Sequence, residues 1–571
     1  MKFILHTPIG EQSVERSLGR AEYSYFFVMK AFRPALERVG KVVVVENPAT
    51  DVDPLYEEAV AAGEACVHLS FTPPHRAPVA LKCPTVSILA WEFSNIPDEV
   101  WGDDPRSDWR YVLGRHGRTI VLSSYTAEAV RVAMGADFPV AAIAAPVWIG
   151  NRPDYRPARP WVEPIELVLR GLVADSRAGT TRAIPDPEPP PEEIGEPELV
   201  SPESAPTTLT MDAAEPEPSA VAVVEPEPSC LDVFEPAPVT PVPVAPVTPP
   251  RNIRYRLGVT KRHALEWYRE ALKDLMPRPI AIAISRSGGW AERATHCWLG
   301  PGWRPPALVE VPPPPPPPPP LPPVDPPPPA FGVTLGGVVY TSVFNPTDGR
   351  KNWVDLVTGF CWAFRDVDDA VLVLKTIHVD ARAYLPALDE ILGKLSPFKC
   401  RVVTVQSFLA EADYRRLVEA TSFYVNCSHC EGLCLPLMEF MAAGRPVIAP
   451  LHTAMADYVD TAVGFTVDAS LENNVWPHDP RELFRTLRYR LNWGSLLTAF
   501  RESYRVAKAE PDRYAVLGAA ARERMRRIAS VETVEAQLRA FFAADLAAPM
   551  LPSLPAVAPI EDDNLMAVEV S

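Results

Sequence analysis

The chain contains no run of eighteen apolar residues, so no membrane-spanning helix is expected. The opening Met1-Lys-Phe-Ile-Leu-His-Thr-Pro is too short an apolar stretch for a secretory signal and reads as a first strand. Positive charge is not in excess. A net charge of −17 argues against a nucleic-acid partner, because proteins that bind one present a basic face. A disulfide framework is also missing. The nine cysteines are scattered, mostly in segments that read as buried, which suits a reducing cytoplasm. Residues 184–250 contain no lysine or arginine, and no repeat of solenoid period is present.

Proline is what the chain has in abundance. There are 68 in 571 residues, about twice the usual share, and the excess is central. Residues 184–250 repeat Glu-Pro pairs. Such a segment buries too little apolar surface to offset its ordering entropy, so disorder is expected. Pro312–Pro320 is an unbroken proline run, read as a stiff polyproline II spacer or as a ligand for an aromatic-lined groove. Between these tracts lies an island over 251–300. Its Lys261–Leu275 segment reads as a basic amphipathic helix suited to peripheral contact with a membrane surface. Residues 151–332 are thus expected to be an insert, and 547–571 a loose tail.

On either side the chain alternates short apolar strands with helical spacing. Before the insert, strands are expected near Lys2–Leu5, Val42–Val45, Val67–Leu69, Val86–Ala90, Thr119–Leu122 and Ala141–Ala144, with helices over Ala21–Val39 and Thr126–Met134. After it, strands are expected at Gly337–Ser342, Ala370–Leu374, Arg401–Val405, Phe423–Val425 and Val447–Ala449, with helices over Arg481–Ala499 and Tyr514–Ala544. This alternation predicts two α/β domains, 1–150 and 333–546, each a parallel sheet that binds ligands at the carboxyl ends of its strands.

The most informative segment is Glu431-Gly-Leu-Cys-Leu-Pro-Leu-Met-Glu439, followed by Phe-Met-Ala-Ala-Gly-Arg-Pro-Val-Ile-Ala. It reads as a loop, a helix start, a helix stop at Gly444 and a buried strand. Two carboxylates fall near one helix N-terminus, where backbone N–H groups point outward. Acids there also merely complement the helix dipole. The pattern resembles the E-x7-E motif of GT-B glycosyltransferases, the large retaining group called family 4 (glycosyltransferase group 1). The resemblance runs from about Tyr340 to Gly464, and more weakly over 1–150.

That resemblance implies two Rossmann-like domains facing a cleft. It implies a metal-independent retaining glycosyltransferase of hexosyltransferase type, with a UDP- or GDP-linked sugar as donor and no other cofactor. A glycan, a lipid-linked acceptor or a small molecule would receive the sugar. The implied residues follow the motif. Glu439 takes the ribose hydroxyls and Glu431 contacts the donor sugar. The N–H groups of Gly432, Leu433 and Cys434 face the diphosphate, and Lys351 approaches it. The family's usual arginine about six residues before that lysine is Asn345 here, and Arg350 is the candidate to replace it. Cations at a helix start are disfavoured, so Arg350 and Lys351 together hint at an anion.

In the acceptor domain, Trp91-Glu92, followed by Ile96-Pro97 and Trp101, resembles a pattern in bacterial members. Glu92 is the candidate catalytic or acceptor-orienting acid, with Trp91 beside it. Gly19 and Arg20, in the first loop, and His75 and His6, after strands, are cleft candidates. Two metal-like spellings, Cys427-Ser-His-Cys430 with Cys434 and Asp366-Val-Asp368, lack a complete ligand set, and no metal is expected. Two competing readings are a GT-B sugar-nucleotide epimerase and a non-catalytic GT-B scaffold that recruits a partner through its polyproline segment.

Overall fold

A computed structural model describes residues 1–148, 155–182 and 331–547, apart from positions 12, 21, 102, 103, 170, 379, 478 and 480. The expectations for the Glu-Pro tract, the Lys261–Leu275 segment, the proline run and the tail after 547 lie outside the described residues.

The first lobe is built on six strands: β1 (Lys2–His6), β2 (Lys41–Val44), β3 (Cys66–Ser70), β4 (Thr85–Leu89), β5 (Thr119–Val121) and β6 (Val140–Ala142). All are parallel, in the order β2-β1-β3-β4-β5-β6. Strands β1, β3, β4 and β5 are buried throughout, as a parallel sheet covered on both faces requires. Helix Tyr23–Val39 packs Phe32, Ala35 and Leu36 against the sheet. Helix Ser124–Met134 starts where Ser123 Oγ accepts the N–H of Thr126. Chain order reverses between β1 and β3.

The second sheet has nine strands. Its parallel part contains β10 (Phe331–Phe344), β11 (Ala370–Thr376), β12 (Arg401–Gln406), β13 (Phe423–Val425), β14 (Val447–Pro450) and β15 (Gly464–Val467), ordered β15-β14-β13-β10-β11-β12. The order reverses between β10 and β13. Two α/β lobes of Rossmann type are therefore present, as expected from the alternation of strands and helices.

Three sequence expectations are corrected. Residues 162–182, assigned above to the insert, belong to this second sheet. Strand β7 (Val162–Leu169) pairs antiparallel with β10, β8 (Leu172–Asp175) with β12, and β9 (Gly179–Arg182) with β8. Nearby prolines masked the apolar alternation of Ile165, Leu167 and Leu169, the last two of which are buried. Second, Arg481–Leu491 is not helical. Strand β17 (Arg485–Leu491) forms a hairpin with β16 (Ala469–Val475), and the helix is Trp493–Ala509. Leu487, Tyr489 and Leu491 alternate at period two, and cross-strand pairing overrides the helical spacing. Third, Tyr514–Ala544 is broken. Helix Pro511–Ala529 ends before Ser530, whose Oγ accepts the Thr533 N–H and starts helix Val531–Phe541.

The last helices return to the first lobe. Phe542 meets Phe3 edge-on at 5.3 Å, and Arg118 pairs with Asp545 at 2.6 Å. One apolar core therefore includes both Phe3 and Leu5 of β1 and Leu437, Met438, Phe440 and Met441 of the second lobe. No helix among the described residues is long and apolar enough to cross a membrane.

Candidate functional site

The carboxyl ends of β10 and β13 flank the switch point of the second sheet, where open α/β sheets leave a crevice. The chain leaves β10 through Asn345 and Asp348. It then makes one 3-10 turn, Gly349–Lys351, before helix Trp353–Ala363. The chain leaves β13 through Asn426 and Ser428 to Glu431, ahead of helix Leu435–Ala442. The two exits bring Lys351 and Arg350 onto Glu431.

Glu431 is 3% exposed. Lys351 Nζ donates to both its oxygens, at 2.7 and 2.9 Å. Arg350 Nη1 donates to Oε2 at 3.1 Å. Asn426 Nδ2 and Ser428 Oγ donate to Oε1 at 3.1 and 2.6 Å. Its own N–H donates to Thr453 Oγ1 at 3.0 Å. Burial pushes this carboxyl up, but Lys351, Arg350 and the Ser428 hydroxyl outweigh it and hold the group at about 2. Glu431 is therefore a fixed anion.

Arg350 is the centre of a wider cluster. Its Nε lies 3.0 Å from Asp348 Oδ2 and 3.0 Å from Glu92 Oε1, and its Nη1 also donates to the Cys430 carbonyl at 3.1 Å. Glu92 follows β4, so this ion pair joins the two lobes. Burial lowers the readiness of Arg350 to stay charged, yet Asp348, Glu92 and Glu431 more than restore it. For Glu92 burial wins over Arg350 and raises the carboxyl above its usual range.

Close backbone approach completes the junction. A Cβ on Gly432 would sit 2.9 Å from the Trp91 nitrogen, so only glycine lets this loop meet the end of β4. Gly19 has φ +90° and its carbonyl accepts from Asn345 Nδ2 at 3.0 Å. Cys434 holds a left-handed φ of 62° just before its helix. Such strain in a non-glycine residue is stored at functional loops.

The other candidates are placed elsewhere. Glu439 lies in the second turn of its helix rather than at the helix start, and Tyr414 Oη donates to it at 2.7 Å. Burial and then Glu439 push the Tyr414 phenol well up, so it remains a donor. Arg20 is exposed. His6 ends β1 in a neutral polar layer. Trp91 and His75 sit in an aromatic cluster with Trp109 and Trp476. The Trp91 and Trp109 rings lie 4.5 Å apart, and Trp476 reaches in from just beyond β16, 5.5 Å from Trp91. Leu433 is buried, and its carbonyl accepts from Tyr458 Oη at 2.5 Å. Asp366 and Asp368 fall before β11, at the opposite end of the sheet from Glu431. A cavity of about 580 Å³ lies at that far end too, lined by Trp161, Asp175, Asp368 and Arg401. It shares no residue with the charged cluster.

No family model and no curated protein matches the chain. Solved structures do. A glycosyltransferase from Rickettsia africae is 8% identical, with a TM-score of 0.41 over 96% of this chain and 98% of that one. Anabaena HepE, solved in complex with UDP and glucose, is 10% identical, with a TM-score of 0.39 over 95% of this chain and 100% of that one. Sucrose-phosphate synthase from Thermosynechococcus elongatus is 21% identical, with a TM-score of 0.26 over 36% of this chain. This chain spans 46% of that last protein's length.

Sequence reasoning did not single out Asn426, Ser428, Asp348 or Thr453, which fix Glu431 and Arg350. A signal existed for the first two: polar residues directly after the apolar strand Phe423–Val425 fall at a carboxyl end. Nothing local marks Thr453, which meets Glu431 from 22 residues away.

Proposed function

We propose that the chain is a GT-B glycosyltransferase that moves a sugar from a nucleotide-sugar donor to an acceptor held by the first lobe. The observation that carries this reading is the buried Lys351–Glu431–Arg350 cluster at the switch point, with Glu92 of the opposite lobe closing it. An enzyme that transfers from a nucleoside diphosphate needs fixed cations where the diphosphate leaves, and preorganised charge is the efficient way to stabilise it. Lys351 and Arg350 are held in place by carboxylates, so little reorganisation is required. Glu439, with Tyr414 as its hydrogen-bond partner, is the acid for the ribose. Glu431 faces the donor sugar. Transfer with retention of configuration and independence from a metal follow from the family resemblance.

Glu92, paired with Arg350 at the junction of the lobes, is our candidate to meet the acceptor hydroxyl. Burial raises the pKa of Glu92, which suits a group that passes a proton during transfer. Apposition of the lobes across Glu92–Arg350 and Gly432–Trp91 excludes water and limits donor hydrolysis.

The test is nucleoside diphosphate release from UDP-glucose, UDP-N-acetylglucosamine and GDP-mannose, with and without a panel of sugar acceptors. Release from one donor that accelerates with acceptor, and is lost in Glu431→Gln, supports the reading. Conversion of the donor alone to an epimer, or no turnover of any donor by folded protein, contradicts it.

A further inference from the structure

The charged cluster does not balance. Glu92, Asp348 and Glu431 surround Arg350 and Lys351, so three carboxylates face two cations. Arg350 Nε is occupied by Asp348 and Glu92, and its Nη1 by Glu431 and the Cys430 carbonyl. Lys351 spans both oxygens of Glu431. A diphosphate beside Arg350 and Lys351 would find much of their charge already offset by carboxylates. A further cation, free of such partners, would complete its site.

Such a cation ends the neighbouring strand. Lys375 is 5% exposed and lies on β11, in register with Val343 of β10 and Val405 of β12. Val343 is two residues before Asn345, where β10 opens into the Lys351 turn. The Lys375 Nζ makes one hydrogen bond, to the Thr376 carbonyl at 2.9 Å, and among the described residues it has no ion-pair partner. An ammonium has three donors. Leaving two unused in a buried position is costly, and burial alone pulls this group down to about 7.

Side-chain alternation tells which face it occupies. Leu372 and Leu374 belong to the core under helix Trp353–Ala363, whereas Val371 and Val373 pack with Val403, Val405 and Leu417. Lys375 shares the second face. That face is covered by helix Glu411–Glu419, which carries Tyr414, the partner of Glu439. Lys375 thus lies at the carboxyl edge of the sheet, on the Glu439 side of the switch point.

We propose that Lys375 is a further diphosphate-binding residue of the donor site, adding to Arg350 and Lys351 the positive charge that their three carboxylate partners offset. This rests on the donor reading above. It explains why a buried, uncompensated ammonium stands in an otherwise apolar layer: the charge costs stability in the free protein and is repaid when the anion arrives.

The test compares wild type with Lys375→Met and Lys375→Arg in the full chain. Melting temperature is measured without ligand, and affinity for UDP, GDP and ADP and for the matching nucleosides is measured by titration. Methionine removes the buried charge at similar volume, so Lys375→Met is expected to melt higher than wild type. It is also expected to bind the preferred nucleoside diphosphate about tenfold or more weakly, the scale of a lost hydrogen bond to a charged group. Nucleoside affinity should stay unchanged, and Lys375→Arg should retain most diphosphate affinity. A lowered melting temperature with unchanged diphosphate affinity would make Lys375 a structural residue and overturn the proposal. Equal weakening of nucleoside and diphosphate would place it at the base and overturn it too. Failure of the wild type to bind any of the three nucleotides would remove the donor reading itself, and this inference with it.

Discussion

The carboxyl edges of the two sheets solve opposite problems. At the second sheet every atom of the Glu431 carboxylate is engaged by a cation or a neutral donor. At the first sheet the edge is mostly polar and uncharged, apart from Glu22, which pairs with Arg76 at 2.6 Å. His6 Nδ1, Thr7 Oγ1, His68 Nε2, Ser70 Oγ and Thr72 Oγ1 are buried without a hydrogen-bond partner, and they are five of the nine such side-chain atoms among the described residues. Burial keeps the histidines neutral: it lowers His6, and with His6 and His116 it brings His68 to about 3. The lobe that is proposed to hold an ionic donor commits buried charges, pairing those around Glu431 and leaving Lys375 without an ion pair among the described residues. The other keeps most of its polar groups neutral and leaves their hydrogen bonds open. The junction lies at Glu92, the one acid that the first lobe sends into the ionic cluster.

The largest way to break this contrast is to unpair the ionic edge. Lys351→Met leaves Glu431 buried with half its positive partners, and such a change costs about 3–5 kcal/mol. Chemical denaturation should show a loss of that size. Adding Glu431→Gln should recover most of it, because the stranded charge is gone. If the double variant is no more stable than the single, the two residues are not coupled as the geometry states.

Acid sharpens the contrast with a smaller effect. Glu431 has a folded value near 2, below its usual value, so it adds stability above about pH 4.5 that is lost as pH falls toward 2. That is worth about 3 kcal/mol in total. The buried histidines have folded values below their unfolded value, so their contribution is complete above about pH 6.5 and declines as pH falls below it. Stability measured against pH should therefore start to fall near 6.5, as His6 and His68 of the first lobe and His429 and His452 of the second take up protons, and fall again below 4.5, as Glu431 does. Replacing His68 by glutamine should remove part of the first decline and leave the second. A flat curve between pH 6.5 and 4.5 would contradict the assignment of buried neutral imidazoles, and an unchanged first decline in the His68 variant would contradict the share given to the first lobe.

Both sheets were legible from strand–helix alternation, because buried parallel strands spell short continuous apolar runs. Val67–Leu69 and Phe423–Val425 are examples. The three edge strands β7 to β9 were not, since prolines at 160 and 164 and the composition beyond Arg182 drew the eye to the insert. The hairpin β16–β17 was hidden for another reason. Leu483, Leu487 and Leu491 repeat every four residues, and only pairing with Ala469–Val475 decides for strand. In the site, Glu431, Lys351 and Arg350 were legible from motif spacing and from cations beside a helix start. Their mutual pairing, and the inclusion of Glu92 from the opposite lobe, required the fold. Lys375 carried no local signal: a lysine ending an apolar strand reads as an ordinary solvated strand end.

The most direct measurement is a calorimetric titration of wild type, Lys351→Met and Glu439→Ala with UDP, GDP and ADP. The account predicts that one of the three binds the wild type and loses about tenfold or more in affinity in each variant. Binding that survives both substitutions unchanged would put the nucleotide elsewhere and contradict the assignment of the switch-point cluster as the donor site.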